Sequence, residues 1–221
     1  MMKKTFMVIG LGRFGASVAE TLAKENCDVL AVDVNENAVA EVAQFVQHSV
    51  IADATKMSVL EKLGAKNIDH AVVAIGNNLE ASILTVFNLK NIGVPKITVR
   101  VDDEDYRSIF TSLGATEIVI PEEDFGNALA NQIKSDSILD YYFITGDYVM
   151  AQISVAKDLE NMNLKDLDLR NKFNINIVGV IRSNEFFIPL WSDTLLVNDI
   201  VVVAGKNKDI NKIDNFLNTE K

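Results

Sequence analysis

Gly10, Gly12 and Gly15 stand in Gly-x-Gly-x-x-Gly spacing within FMVIGLGRFGASVAE, between an apolar run and a helical pattern. Glycines so spaced can cradle an anion. The first makes a tight turn and the second lets backbone approach a phosphate. The third lets the following helix pack closely, so that its N-terminal amides face the anion. Asp33 ends the next apolar run, 21 residues beyond Gly12. A carboxylate there accepts hydrogen bonds from ribose hydroxyls and disfavours a 2′-phosphate. Arg13, inside the loop, is a cation able to clamp phosphate bidentately.

Two further stretches, VIADAT (50–55) and VAIGNN (73–78), end strand-like runs and should open onto the same crevice. Asp53 and Thr55 would flank a base, while Ile75, Gly76 and Asn77 would wall the nucleotide. Arg100 ends a fifth run and is placed to meet phosphate or a neighbouring subunit. Glu122 is less easily placed. A carboxylate facing phosphates is repulsive unless a cation lies between them or a proton is retained. With Glu123 and Asp124 beside it, Glu122 also reads simply as a charge that complements a helix N-terminus.

Residues for catalysis are harder to find. Hydride-transfer enzymes need a general acid or base near the reacting carbon, commonly His, Lys or Tyr. The two histidines, His48 and His70, both open strand-like runs, at the ends facing away from the ligand edge. No tyrosine is followed by lysine four residues later, and there is no GxSxG elbow, Walker loop or Cys/His cluster.

These residues must be held by a frame. Runs at 5–9, 29–33, 49–52, 70–74, 96–100 and 117–120 are short, rich in Val and Ile, and lack strict alternation, as buried parallel strands do. Helical patterns cover 14–24, 36–43, 56–63, 78–91 and 104–113, with Asn35 and Thr55 as expected N-caps and Gly64, Gly93 and Gly114 where helices should stop. The alternation predicts an α/β fold, a Rossmann-like doubly wound parallel sheet over residues 1–135 that includes a last helix at 123–135. Residues 136–147, polar and aromatic, read as a crossover or linker. Beyond them, 148–221 suits a small α+β domain with strands at 148–155, 175–182, 186–188 and 200–205, a turn at Asn184–Glu185, and helices near 163–167 and 208–217.

Composition narrows the partners. The 221 residues are 48% hydrophobic and carry a formal net charge of −10, which disfavours nucleic acid and anionic lipid as general partners. The single cysteine, Cys27, cannot form an internal disulfide and reads as a small buried hydrophobe. The start runs straight into the glycine loop without a signal-peptide pattern, and no apolar run approaches the ~18–20 residues of a membrane span. A cytoplasmic protein is expected.

Together, VIGLGRFG, the acidic end of VLAVDVN, VIADAT, VVAIGNN and GATEIVIPEEDFG resemble the RCK (TrkA-N) domains, cytosolic regulators of potassium channels and transporters. The tail LKDLDLRNKFNINIVGVIRSNEFFIPLWSDTLLVNDIVVVAG is similar to the RCK-C (TrkA-C) domain that follows them. Within the family, the likeness points to the gating subunits of bacterial Ktr potassium transporters.

The resemblance implies a homo-octameric ring built from dimers, peripheral to the inner face of the plasma membrane through a membrane-embedded transporter subunit. ATP or ADP, with NAD as a further possibility, would occupy the crevice, and exchange between ATP and ADP would gate potassium flux. Gly10, Gly12 and Gly15 would hold phosphate, Asp33 and Asn35 ribose, and Asp53 and Thr55 the adenine. Ile75, Gly76 and Asn77 would line the pocket with the adjoining Phe14, Val34, Ala54 and Ala74. Arg13 and Arg100 would bind phosphates, Arg13 across a subunit interface. The counterpart of Glu122 lies near the terminal phosphate across the dimer interface, where a bridging divalent cation can relieve the repulsion. Such C-domains also bind cyclic di-AMP at their dimer interface, which here would involve Arg170, Phe173, Ile175, Asn176 and Pro189. Where the family usually has a second proline shortly after Pro189, this chain has Trp191. The alternative to a regulator is an NAD-dependent oxidoreductase using the same loop.

Overall fold

The computed structural model describes residues 3–76, 78–159 and 161–218. The short Val- and Ile-rich runs do form parallel strands. In chain order the first part comprises β1 (Thr5–Ile9), α1 (Arg13–Lys24), β2 (Asp28–Asp33), α2 (Glu36–Val42), β3 (His48–Ile51), α3 (Met57–Lys62), β4 (His70–Val73), α4 (Leu79–Ile92), β5 (Ile97–Arg100), α5 (Arg107–Leu113) and β6 (Glu117–Val119). The six strands are all parallel and lie in the order β3-β2-β1-β4-β5-β6. Consecutive residues of β1, Met7 and Val8, are both fully buried and join different apolar clusters. Side chains alternate across a strand, so β1 is covered on both faces, which is why its sequence does not alternate.

Local signals set most helix ends. Asn35 caps α2, its Oδ1 accepting from Asn37 N–H at 2.9 Å and Ala38 N–H at 3.4 Å. Asn35→Ala is expected to cost about 1 kcal/mol, measurable as a lower denaturant midpoint. Gly93 and Gly114 close α4 and α5 in the left-handed region, at φ 94° and 101°. Thr55 does not cap α3 as expected. That position belongs to Lys56, because the Thr55 hydroxyl donates to the Asp53 carboxylate at 2.6 Å instead of accepting from backbone.

The chain divides into two compact units, Met1–Glu122 and Glu123–Lys221, so most of α6 (Pro121–Gln132) belongs to the second unit and not to the first. The second unit continues with β7 (Ile138–Thr145), β8 (Tyr148–Ser154), α7 (Leu164–Leu167), α8 (Leu169–Phe173), β9 (Ile175–Arg182), β10 (Glu185–Phe187), β11 (Ile200–Lys206) and α9 (Asn207–Asn218). Its strands form an antiparallel sheet in the order β10-β9-β11-β8-β7.

Residues 136–147 are therefore no linker, since they contain β7, paired with β8 along its length. Register shifts between Ile138 and Asp140 and between Phe143 and Thr145 bury both Ile138 and Tyr141, three residues apart. Such irregularities break the two-residue period by which a strand is recognised. In β8 the period is intact, with Val149, Ala151 and Ile153 fully buried. They meet Ile210, Ile213 and Leu217 of α9 in one core. The β9–β10 turn falls on Ser183 and Asn184, at φ 52° and 64°, one residue earlier than expected. No helix among the described residues is long and apolar enough to cross a membrane.

Candidate functional site

The carboxyl ends of the parallel strands open onto a cleft of about 860 Å³ in the first unit. In open α/β sheets ligands bind at that edge. The glycine loop forms one wall. Gly10 has φ 91°, and a Cβ there would lie 2.5 Å from the Ala74 carbonyl oxygen. A Cβ on Gly15 would fall 1.9 Å from the Gly10 oxygen, so α1 packs directly on the loop. Gly15 is buried there and does not line the cleft. Gly12 caps α1 without a side chain, lines the cleft, and would have nothing within 4 Å of an added Cβ. No acidic side chain occupies the first turn of α1, leaving its free amides available to an anion.

Asp33 is fixed at the end of β2 by two backbone donors, Leu11 N–H to Oδ2 at 2.6 Å and Asn35 N–H to Oδ1 at 2.8 Å. Each carboxylate oxygen keeps a further acceptor site, so Asp33 can brace the loop and still accept from ribose. Asn35 is not brought to the cleft, because its side-chain oxygen is committed to capping α2.

On the opposite wall, Asp53 Oδ1 accepts from Thr55 Oγ1 at 2.6 Å and Thr55 N–H at 3.1 Å, and Oδ2 lies 3.2 Å from Lys56 Nζ. The Thr55 hydroxyl leads the contacts that hold this carboxyl below the usual range. Asn88, buried on α4, donates to the Thr55 carbonyl at 2.8 Å and anchors the same wall. Phe14, Val34, Ala54, Ala74, Ile75 and Gly76 line the cleft as expected. Asn77 lies outside the described residues.

Arg13, Arg100 and Glu122 also border the cleft. The Arg100 side chain is only 13% exposed, and its Nη2 reaches Glu122 Oε1 at 2.7 Å and Asp102 Oδ1 at 2.8 Å. Its Nε is buried without a partner. Gly76, at φ 65°, makes room for this guanidinium, since a Cβ there would lie 3.3 Å from Nη1. The Arg100 hydrogen bond, aided by the more distant Arg13, holds the Glu122 carboxyl below its usual range. Glu122 is thus ionised, and within this chain its charge is offset by arginine. No group of three or more His, Cys, Asp or Glu among the described residues could hold a metal ion.

Ile9, Ala52, Asn78 and Ala81 line the cleft in addition to the predicted residues. Of these only Asn78 carried a signal. It is the N-cap of α4, accepting from Ala81 N–H at 2.9 Å, and as a polar residue before a helical run it was legible as one.

The second unit holds a smaller cavity of about 140 Å³, lined by Arg170, Ile175, Asn176 and Pro189 among others. Phe173, expected with them, instead packs its ring on Phe216, with centroids 5.1 Å apart.

Comparison with known proteins supports both units. The TrkA-N domain model matches residues 6–121 and the TrkA-C domain model residues 150–218. Ktr system potassium uptake protein C of Bacillus subtilis is 41% identical over 214 residues, spanning 96% of this chain and 97% of that protein. Ktr system potassium uptake protein A of the same organism is 33% identical, over 96% of each. Among solved structures, the RCK domain of GsuK superposes with a TM-score of 0.67 at 13% identity, covering 100% of this chain and 49% of that one. The GsuK channel bound to NAD gives 0.68 at 14% identity, covering 99% and 40%. The chain thus spans half or less of the length of these GsuK chains, and at such identities the likeness concerns the fold alone. The domain models and the two Ktr potassium uptake proteins, matched over nearly their full length, show that the chain belongs to the TrkA-N/TrkA-C (RCK) family.

Proposed function

We propose that this chain is the regulatory subunit of a Ktr-type potassium transporter, binding ATP and ADP in the cleft of its first unit and gating a membrane-embedded partner without turning the nucleotide over. The supporting observation is the inventory of that cleft. It pairs an open anion-binding helix end and a ribose acceptor with two arginines, while its titratable side chains are Arg13, Asp33, Asp53, Arg100 and Glu122. None is the His, Lys or Tyr that hydride transfer commonly uses. His48 and His70 open β3 and β4, at the strand ends opposite the cleft. His70 is tied to Thr98 Oγ1 at 2.8 Å, and burial lowers its pKa.

The mechanism is a population shift. ATP must bind one arrangement of an assembled ring better than ADP does, and about 1.4 kcal/mol of difference moves the gate equilibrium tenfold. The γ-phosphate is the only group that distinguishes the two ligands, and Arg13 and Arg100, which border the cleft, are the cations that would meet it. In the ring, taken as an octamer built from dimers, several sites would bias one gate, and the subunit would reach the membrane through its partner. The cavity of the second unit would serve as a second regulatory site. Ligand pockets usually run to roughly 300–1,000 Å³, so 140 Å³ encloses only part of a ligand. This fits one half of cyclic di-AMP, with a second copy of the chain enclosing the other half.

Calorimetric titration of the intact chain with ATP, ADP, NAD and NADP tests this reading. Saturable binding of ATP and ADP without turnover is expected, together with rejection of NADP, whose 2′-phosphate would face Asp33. Stoichiometric NAD binding with hydride transfer to it from any small alcohol, which leaves as the carbonyl, would replace it by the dehydrogenase reading. A monomer by light scattering under both ATP and ADP would remove the ring.

A further inference from the structure

One wall of the second unit's cavity is a single aromatic ring. Trp191, the only tryptophan in the chain, lines it and is 68% exposed. An indole left so open to water is an unusual use of a large apolar ring, and its backbone is held in place. The Trp191 carbonyl accepts from Lys165 N–H at 3.1 Å. On either side, Leu190 N–H donates to Asp193 Oδ2 at 2.7 Å and Asp193 N–H to the Leu190 carbonyl at 3.0 Å. Leu164 N–H donates to the Asp193 carbonyl at 2.8 Å, pinning the same turn to α7. The result is a flat ring carried on a turn that is already fixed, so little ordering remains to be done when a ligand arrives.

The rest of the lining tells what would meet that ring. Ile175, Ile177 and Pro189 are apolar. Arg170 is an exposed cation on α8 and Asn176 an exposed amide on β9, neither spent on a side-chain partner among the described residues. A planar π-surface, a free guanidinium and a free amide suit a ligand with an aromatic base, a base edge that hydrogen-bonds, and a phosphate.

We infer that Trp191 is the base-stacking wall of this cavity, lying on the purine of an anionic nucleotide whose phosphate pairs with Arg170 and whose base edge meets Asn176. The inference rests on the reading of the second unit as a nucleotide site and adds how the base is held. Any purine offers a face to indole, so stacking supplies affinity, while the Asn176 amide distinguishes adenine from guanine at the edge.

The single tryptophan makes the test direct. The intact chain, kept saturated with ADP so that the cleft of the first unit is occupied, is titrated with cyclic di-AMP while tryptophan fluorescence is followed, and calorimetry is run in parallel. Saturable quenching is expected at the affinity that calorimetry reports. Trp191→Ala should weaken binding roughly 5- to 150-fold, the range of one base–aromatic stack, and Trp191→Phe should restore most of it. ADP affinity at the glycine loop should be unchanged in both variants, and denaturant unfolding followed by circular dichroism should show the transition of the second unit retained in both. Cyclic di-AMP binding equally to wild type and Trp191→Ala, or without change in fluorescence, overturns the role of Trp191 and leaves the nucleotide site standing. No calorimetric binding of cyclic di-AMP to the wild-type chain overturns both.

Discussion

Gly15→Ala is expected to abolish nucleotide binding and to destabilise the first unit by about 3 kcal/mol, the upper end of ordinary overpacking penalties. The clash is with backbone, since the new Cβ would lie 1.9 Å from the Gly10 carbonyl oxygen. Relief requires α1 to withdraw from the loop, which moves the free amides away from the phosphate they would bind. Gly12→Ala is the informative contrast. Gly12 sits at φ −64°, and its Cβ would meet nothing within 4 Å. Stability should change by no more than about 1 kcal/mol, whereas phosphate approach should be blocked. Thermal unfolding and ADP titration of the two variants separate the roles. A Gly12→Ala chain that binds ADP normally would mean that the phosphate does not approach this turn.

The second large effect is expected in the other unit. Asp199 is 1% exposed and accepts from Arg182 Nε at 2.8 Å, Arg182 Nη2 at 2.7 Å and Leu196 N–H at 2.8 Å. The same Nη2 donates to the Thr194 carbonyl at 3.0 Å, so one ion pair ties β9 to the segment leading into β11. Asp199→Ala strands a guanidinium and a backbone amide together. Removing one partner of a buried pair typically costs 3–5 kcal/mol, and with the Arg182 side chain 36% exposed to water the lower end applies, about 3 kcal/mol. Asp199→Asn should recover part of this by keeping an acceptor. Denaturant unfolding followed by the fluorescence of Trp191 reports on this unit, and an unchanged midpoint would mean that the pair is dispensable.

The parts of the site that could be read in advance are those encoded locally. The glycine spacing, the acidic end of β2 and the Asn35 cap each depend on a few adjacent residues, and each took the expected backbone form. Contacts between strand ends were not legible. Arg100 and Glu122 stand 22 residues apart, and only the parallel pairing of β5 with β6 brings them to one edge. Sequence chemistry alone left open how the Glu122 charge would be offset, and the answer lies on the neighbouring strand. Asn35 and Phe173 show the opposite limit. Motif position put both at a ligand, but each side chain was already committed, one to a helix cap and one to an aromatic neighbour. In β7 the obstacle was the register shifts, which erase the alternation by which strands are recognised.

The closeness of Gly10 to Ala74 also bears on when the site can exist. Strand β1 lies between β2 and β4, and its loop rests on residues that follow it by more than sixty positions. Gly10 N–H donates to the Val32 carbonyl, and Ala74 N–H to that of Ile9. During synthesis β2 can pair as soon as it emerges, but the other edge of β1 stays open until His70–Val73 is available. Parallel pairing over such a separation is slow, because loop-closure entropy must be met before the contacts form. A nascent chain therefore carries the whole fingerprint, Gly10 to Asp33, well before it has a floor beneath the loop. A nucleotide held in this cleft, as proposed, would stabilise only chains that have grown past Ala74, and would so act as a late selector for chains whose central sheet is already assembled.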